Sequence, residues 1–131
     1  MHRILVVDDE ESLRLLLSRA LQKAGYEVVT AANGAAAVEL FRAQPADLVI
    51  TDLVMPEKEG IETILELRQL QPGLKIIAMS GGGYMEAQDY LQMAGKLGAM
   101  GTLSKPFTAQ RVQELVAELL QEPAGAVPAP A

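Results

Sequence analysis

The chain has 131 residues, half of them hydrophobic and 21% charged, a balance that suits one domain with one sizeable core. Eleven Lys and Arg against seventeen Asp and Glu give a net charge of −6, which speaks against a nucleic-acid or anionic-membrane surface, since both need a basic patch. The absence of cysteine excludes a disulfide framework, a thiolate metal site and a Cys nucleophile, and no run approaches the roughly 20 apolar residues of a membrane span.

Taken in chain order, strand-length apolar runs alternate with segments of helical period. "RILVV" (3–7) is a predicted strand that stops on Asp8 and Asp9, so acids interrupt the apolar segment before any signal-peptide layout can form. Residues 10–24 are a predicted helix with Leu13, Leu16, Leu17, Ala20, Leu21 and Ala24 on one stripe expected to be core. Glu10 and Glu11 suit its first turn, and Gly25 stops it. "YEVVTA" (26–31) is a second strand, and Asn33-Gly34 turns into a helix over about 34–43. After Pro45 comes "DLVIT" (47–51), a third strand ending in Asp52. A helix over about 59–71 breaks at Pro72-Gly73 before "LKIIAM" (74–79), the fourth strand. Residues 84–97 read as a helix, 99–103 as a short fifth strand and 108–121 as a last amphipathic helix. The methionines Met79, Met93 and Met100 read as packing residues. Residues 122–131, "EPAGAVPAPA", lack periodicity and read as a Pro/Ala-rich tail or linker stub, leaving one domain over 1–121.

Five βα units whose strands lack polar alternation imply an α/β fold with a parallel sheet covered on both faces and right-handed crossovers. Ligands of such sheets bind beyond the carboxyl ends of the strands. At those ends the first strand carries Asp8 and Asp9, the third Asp52, the fourth Ser80 and the fifth Lys105 followed by Pro106. Any one of them alone reads as a helix cap, a turn hydroxyl or a solvated lysine. Capping, however, does not call for three acids, a hydroxyl and a lysine on one sheet edge.

Phosphoryl capture does. Carboxylates supply hard oxygen ligands for Mg²⁺, which keeps several waters and binds phosphate directly. One carboxylate can act as nucleophile and form an aspartyl phosphate, while a hydroxyl and an ammonium bind the phosphoryl oxygens. His2 is the only histidine, so no His-based metal or catalytic site is expected.

With these residues in place, residues 2–121 resemble the receiver domain of two-component response regulators. The resemblance is carried by "VVDDE" (6–10), "TDLVMP" (51–56), "AMSGGG" (78–83) and "LSKPF" (103–107), each at a strand end. It implies a flavodoxin-like (βα)5 doubly wound sandwich with a five-stranded parallel sheet in order 2-1-3-4-5. It implies that Asp52 is the phosphoacceptor, that Asp8, Asp9, Asp52 and the backbone carbonyl of Val54 hold Mg²⁺ or Mn²⁺, that Ser80 is the switch hydroxyl and that Lys105 pairs with the phosphoryl group. The implied partners are a histidine kinase or histidine phosphotransfer protein upstream and a protein docked on the 84–121 face downstream. A homodimer is compatible, nucleic acid and membrane are not expected to bind this chain alone, and the expected location is the cytoplasm.

Two positions depart from the family's commonest pattern. Thr102 stands where an aromatic usually swings inward with the switch hydroxyl, and Gly81 opens a Gly81-Gly82-Gly83 run where alanine is frequent. Coupling of Ser80 to helix 84–97 through the glycine loop, rather than through residue 102, is therefore expected. The competing readings are a phosphorylation-independent receiver-like module and a Mg²⁺-dependent phosphohydrolase. The latter would want a second acid two residues after its nucleophile, where this chain has Val54.

Overall fold

A computed structural model of the protein describes residues 2–52, 60–80 and 100–121, without the side chains of Ile61, Ser80 and Gln121. Five parallel strands, β1 (Arg3–Val7), β2 (Glu27–Ala31), β3 (Leu48–Asp52), β4 (Lys75–Ser80) and β5 (Gly101–Ser104), form one sheet in the order β2-β1-β3-β4-β5. The helices of the described residues are α1 (Glu11–Lys23), α2 (Gly34–Ala43), α3 (Gly60–Leu70) and α4 (Ala109–Gln121). The expected helix 84–97 and the tail 122–131 lie outside the described residues.

Alternation along the strands explains why the sheet is covered twice. Side chains of successive strand residues point to opposite faces, so an uninterrupted apolar strand must bury both. Leu5, Val7, Val49 and Ile76 join Ala37, Val38 and Phe41 of α2 and Ile64 and Leu67 of α3 in one core. Ile4, Val6, Leu48, Ile50, Ile77 and Met79 join Leu17 and Leu21 of α1 and Val112, Leu115 and Val116 of α4 in the other. Burying such a side chain contributes about 1.5–3 kcal/mol. Between them the two cores cover both faces of the sheet.

Local chemistry sets the element ends. Asn33 caps α2 by accepting the Ala36 N–H on its side-chain oxygen at 2.8 Å. Gly25 terminates α1 with φ at +99°, a conformation that favours glycine. At the other end of the sheet Gly101 lets α4 approach closely, because a Cβ there would stand 3.2 Å from Leu115 Cδ2 and 3.3 Å from Leu119 Cδ1.

Several sequence expectations need correction. Leu16 is 46% exposed and Leu15 49%, so the core stripe of α1 is Leu17, Ala20 and Leu21, with Leu13 packed at its edge. Met100 is also exposed, although it reads as a packing residue. The apolar periodicity marks which side of a helix faces inward but not the width of the covering layer, and α1 carries two leucines, Leu15 and Leu16, more than its contact with the sheet and α4 accepts. Strands β3 and β4 each run one residue further than expected. Asp52 still pairs with Met79 and Ser80 with Ser104, so the ladder continues past the last apolar side chain.

Candidate functional site

The order β2-β1-β3 makes the chain leave β1 toward one edge and return on its other side. This reversal opens the crevice in which doubly wound folds bind ligands, at the carboxyl ends of β1 and β3. Val7 pairs with Thr51 in that register, so the next residues, Asp8 and Asp52, come to lie side by side at the rim. Asp8, Asp9 and Asp52 each offer a carboxylate oxygen there, and these oxygens lie within 4.8 Å of one another.

The three acids differ in their surroundings. Asp8 is fully buried. Its N–H donates to the Ala31 carbonyl at 3.2 Å, its Oδ1 accepts the Glu10 N–H at 2.9 Å and its backbone carbonyl accepts from the Arg14 guanidinium at 2.8 Å. Asp52, the last residue of β3, is 6% exposed, whereas Asp9 faces solvent. Two carboxylates this deep need a compensating charge, since an uncompensated buried charge is very costly.

Lys105 supplies it. Its stem reaches from just beyond β5 past the end of β4, and Nζ lies 3.0 Å from Asp8 Oδ2 and 3.2 Å from Asp52 Oδ2. Burial alone would lower the pKa of this ammonium, but the hydrogen bond and charge of Asp8, with those of Asp52, outweigh it and hold the group above the usual lysine value. Lysine is therefore charged at neutral pH and bridges the two buried acids. The Lys105–Pro106 peptide is cis.

The sequence-expected residues are thus brought together for Asp8, Asp9, Asp52 and Lys105. Ser80 ends β4, adjacent in the ladder to the partner of Asp52, which places its backbone at the same rim. The Ser80 side chain and the whole of Val54 lie outside the described residues, as does the 81–83 glycine run. Thr102, on the edge strand β5, is exposed.

Arg14 was not singled out by sequence reasoning, although a signal existed. A cation close to a helix N-terminus opposes the helix dipole, so an arginine four residues into α1 needs a local reason. The reason is the Asp8 carbonyl.

The donor set can hold a small hard cation. Octahedral Mg²⁺ binds oxygens at about 2.0–2.1 Å, so opposite ligands stand about 4.2 Å apart. Carboxylate oxygens within 4.8 Å of one another need only a small inward movement, or one intervening water, to share such an ion. Their all-oxygen chemistry favours Mg²⁺ or Mn²⁺ over softer-ligand metals.

A doubly wound parallel sheet carrying an acid cluster and a bridging lysine at its switch-point rim defines a class of α/β domains with an acidic site at the carboxyl ends of the strands. Comparison with known proteins makes the assignment particular: residues 4–117 match the family model "Response regulator receiver domain", and the chain belongs to that family, the receiver domains of two-component signalling. It is 40% identical over 120 residues to the chemotaxis protein CheY of Bacillus subtilis, covering 91% of this chain and 98% of that protein. Among solved structures, a CheY-like receiver domain protein from Methanospirillum hungatei superposes with a TM-score of 0.84 at 28% identity, covering 93% of this chain and 95% of that one. The response regulator TrrA of Thermotoga maritima, solved in complex with Mg²⁺ and BeF, gives a TM-score of 0.79 at 37% identity, with coverages of 91% and 99%. The relatives are signalling receivers rather than classical enzymes, and receiver domains interact with histidine kinases and phosphotransfer proteins. Among the described residues no helix is long and apolar enough to cross a membrane.

Proposed function

We propose that this chain is a phosphorylation-controlled signalling switch in which Asp52 accepts a phosphoryl group from a histidine kinase or histidine phosphotransfer protein. The observation that carries this reading is the convergence of three carboxylates within 4.8 Å on the rim where Lys105 bridges Asp8 and Asp52. Asp8, Asp9 and Asp52, with the backbone carbonyl of Val54, would hold Mg²⁺. When bound, the ion neutralises the acids and stabilises charge on the transferring group. A carboxylate oxygen of Asp52 attacks the phosphorus in line, the bond from phosphorus to the donor nitrogen breaks, and the imidazole keeps its electron pair. Lys105 is close enough to Asp52 to exchange an acid for a phosphoryl oxygen as its partner. The Mg²⁺ and BeF bound by the Thermotoga relative support the same assignment here.

Ser80 is the proposed switch hydroxyl. Drawing it to the phosphoryl oxygens would favour one of two conformers of the 84–121 face, which serves as the docking surface for a downstream protein. The domain spans residues 1–121 in this reading, acts in the cytoplasm without binding nucleic acid, and catalyses only its own phosphorylation and dephosphorylation.

Incubation with acetyl phosphate and Mg²⁺ should give an acid-stable, base-labile phospho-species, absent without the metal and absent in Asp52→Asn. Undiminished label in Asp52→Asn would place the nucleophile elsewhere. A phosphohydrolase would instead turn over excess phosphate ester without accumulating label, and a phosphorylation-independent module would take up none.

A further inference from the structure

The Asp8 side chain and the Asp8 carbonyl are held by different partners, and the second of these has no part in the mechanism above. One Arg14 guanidinium nitrogen donates to that carbonyl at 2.8 Å. Arg14 is half-buried, and among the described residues it has no carboxylate partner. Its only described side-chain bond is to the turn that carries the acids. From the geometry we infer that Arg14 is a positioning residue, which sets the cation affinity of the acid cluster by fixing the Asp8–Asp9 peptide plane.

The physical chain is short. The Asp8 carbonyl belongs to the rigid peptide unit that also contains the Asp9 nitrogen and Cα. Holding its oxygen from α1 therefore fixes the direction in which Asp9 leaves the strand. Asp8 cannot drift either, because Oδ1 accepts the Glu10 N–H and Oδ2 meets Lys105. Asp9 is exposed and none of the described bonds involves its side chain, so its aim depends on the backbone alone. An arginine clamp on that peptide lowers the ordering cost of gathering three carboxylates around one ion.

The two properties of Arg14 act in opposite directions, which makes the inference decisive to test. Its positive charge repels a cation at the acid cluster, and its position near the start of α1 runs against the helix dipole. If charge were its main influence, removing it would tighten cation binding. If it positions the turn, removing it weakens binding despite the relieved repulsion.

The inference rests on the cation reading of the site, so the test includes a metal-free readout. Mg²⁺ alone is titrated into wild type, Arg14→Met and Arg14→Lys by calorimetry, and exchange of the Glu10 amide is followed in the metal-free proteins. Methionine keeps much of the apolar stem while losing charge and donors, whereas lysine keeps the charge and one donor group. The expected result is a Kd for Mg²⁺ raised about three- to tenfold in Arg14→Met, with partial recovery in Arg14→Lys, and faster Glu10 exchange in Arg14→Met. Unchanged or tighter Mg²⁺ binding in Arg14→Met overturns the inference, as does unchanged Glu10 exchange. If wild type itself fails to bind Mg²⁺, the cation reading falls and with it the role of Arg14 in affinity, while Glu10 exchange still reports whether Arg14 holds the turn.

Discussion

Lys105 Nζ stands 3.0 Å from Asp8 Oδ2, an ion pair between residues 97 positions apart that ties the end of β5 to the end of β1. The same ammonium lies 3.2 Å from Asp52, so one cation serves two buried acids. Removing it should leave like charges crowded at the rim. The lysine side chain is 23% exposed, which moderates the cost usual for breaking a buried pair. Lys105→Met is expected to lose about 1–3 kcal/mol of stability in urea unfolding without metal. Millimolar Mg²⁺ should restore part of that loss, because the added ion takes over the neutralising role. Equal stability of variant and wild type in metal-free buffer would contradict the bridge.

The same pair fixes a pH dependence and its sign. The folded-state pKa of Lys105 is raised, so its contribution to stability is fully present below the unfolded lysine value of about 10.4 and is lost as pH rises through the folded value. The stability gap between wild type and Lys105→Met should therefore be constant from pH 7 to about pH 10 and close only above it. Thermal unfolding of both proteins across that range measures the gap directly. A gap that closes between pH 7 and 9 would mean that some other group controls the bridge.

On α1, adjacent leucines should behave differently. Leu17 is fully buried against β1, β3 and α4, whereas Leu16 is 46% exposed. Leu17→Ala removes a packed side chain and leaves a cavity, with an expected cost of about 2–5 kcal/mol. Leu16→Ala should cost less than about 1 kcal/mol, since little apolar surface is returned to water. Chemical denaturation of the two variants separates them. A Leu16→Ala loss as large as that of Leu17→Ala would show that Leu16 is core after all.

This pair also shows what sequence could and could not convey. The strands were legible because Ile4 to Val7, Leu48 to Ile50 and Ile76 to Met79 are apolar at every position, as burial on two faces requires. The rim was legible because Asp8, Asp9, Asp52 and Lys105 interrupt or follow those runs, and a parallel sheet puts all such ends on one side. Leu16 was misjudged because periodicity gives an angle around a helix but not the depth of what covers it. Arg14 carried one signal, its place near the start of α1 against the helix dipole, but that signal names no partner, and the backbone carbonyl it meets leaves no mark in the sequence. The bridging of Asp8 and Asp52 by one lysine likewise needed the strand order and the register in hand.

Adjacent acids at the rim should separate in the same way as the adjacent leucines, but along function. Asp8 is fully buried, its carboxylate meets both the Glu10 N–H and Lys105, and it is part of how the turn folds. Asp9 is exposed, and its one feature shared with the other acids is an oxygen within 4.8 Å of theirs. Asp8→Ala should therefore lower metal-free stability by about 2–4 kcal/mol, through loss of a charge-assisted bond and of the acid that compensates Lys105. Asp9→Asn keeps the shape, removes one negative charge from a crowded cluster and should leave metal-free stability unchanged or slightly higher. Its cost appears on adding Mg²⁺, where affinity should fall about tenfold or more with one carboxylate ligand gone. Melting curves without metal and calorimetric Mg²⁺ titrations of both variants give the four numbers required. A clear loss of metal-free stability in Asp9→Asn would mean that this acid caps α1, and unchanged Mg²⁺ affinity in the same variant would remove it from the cation site.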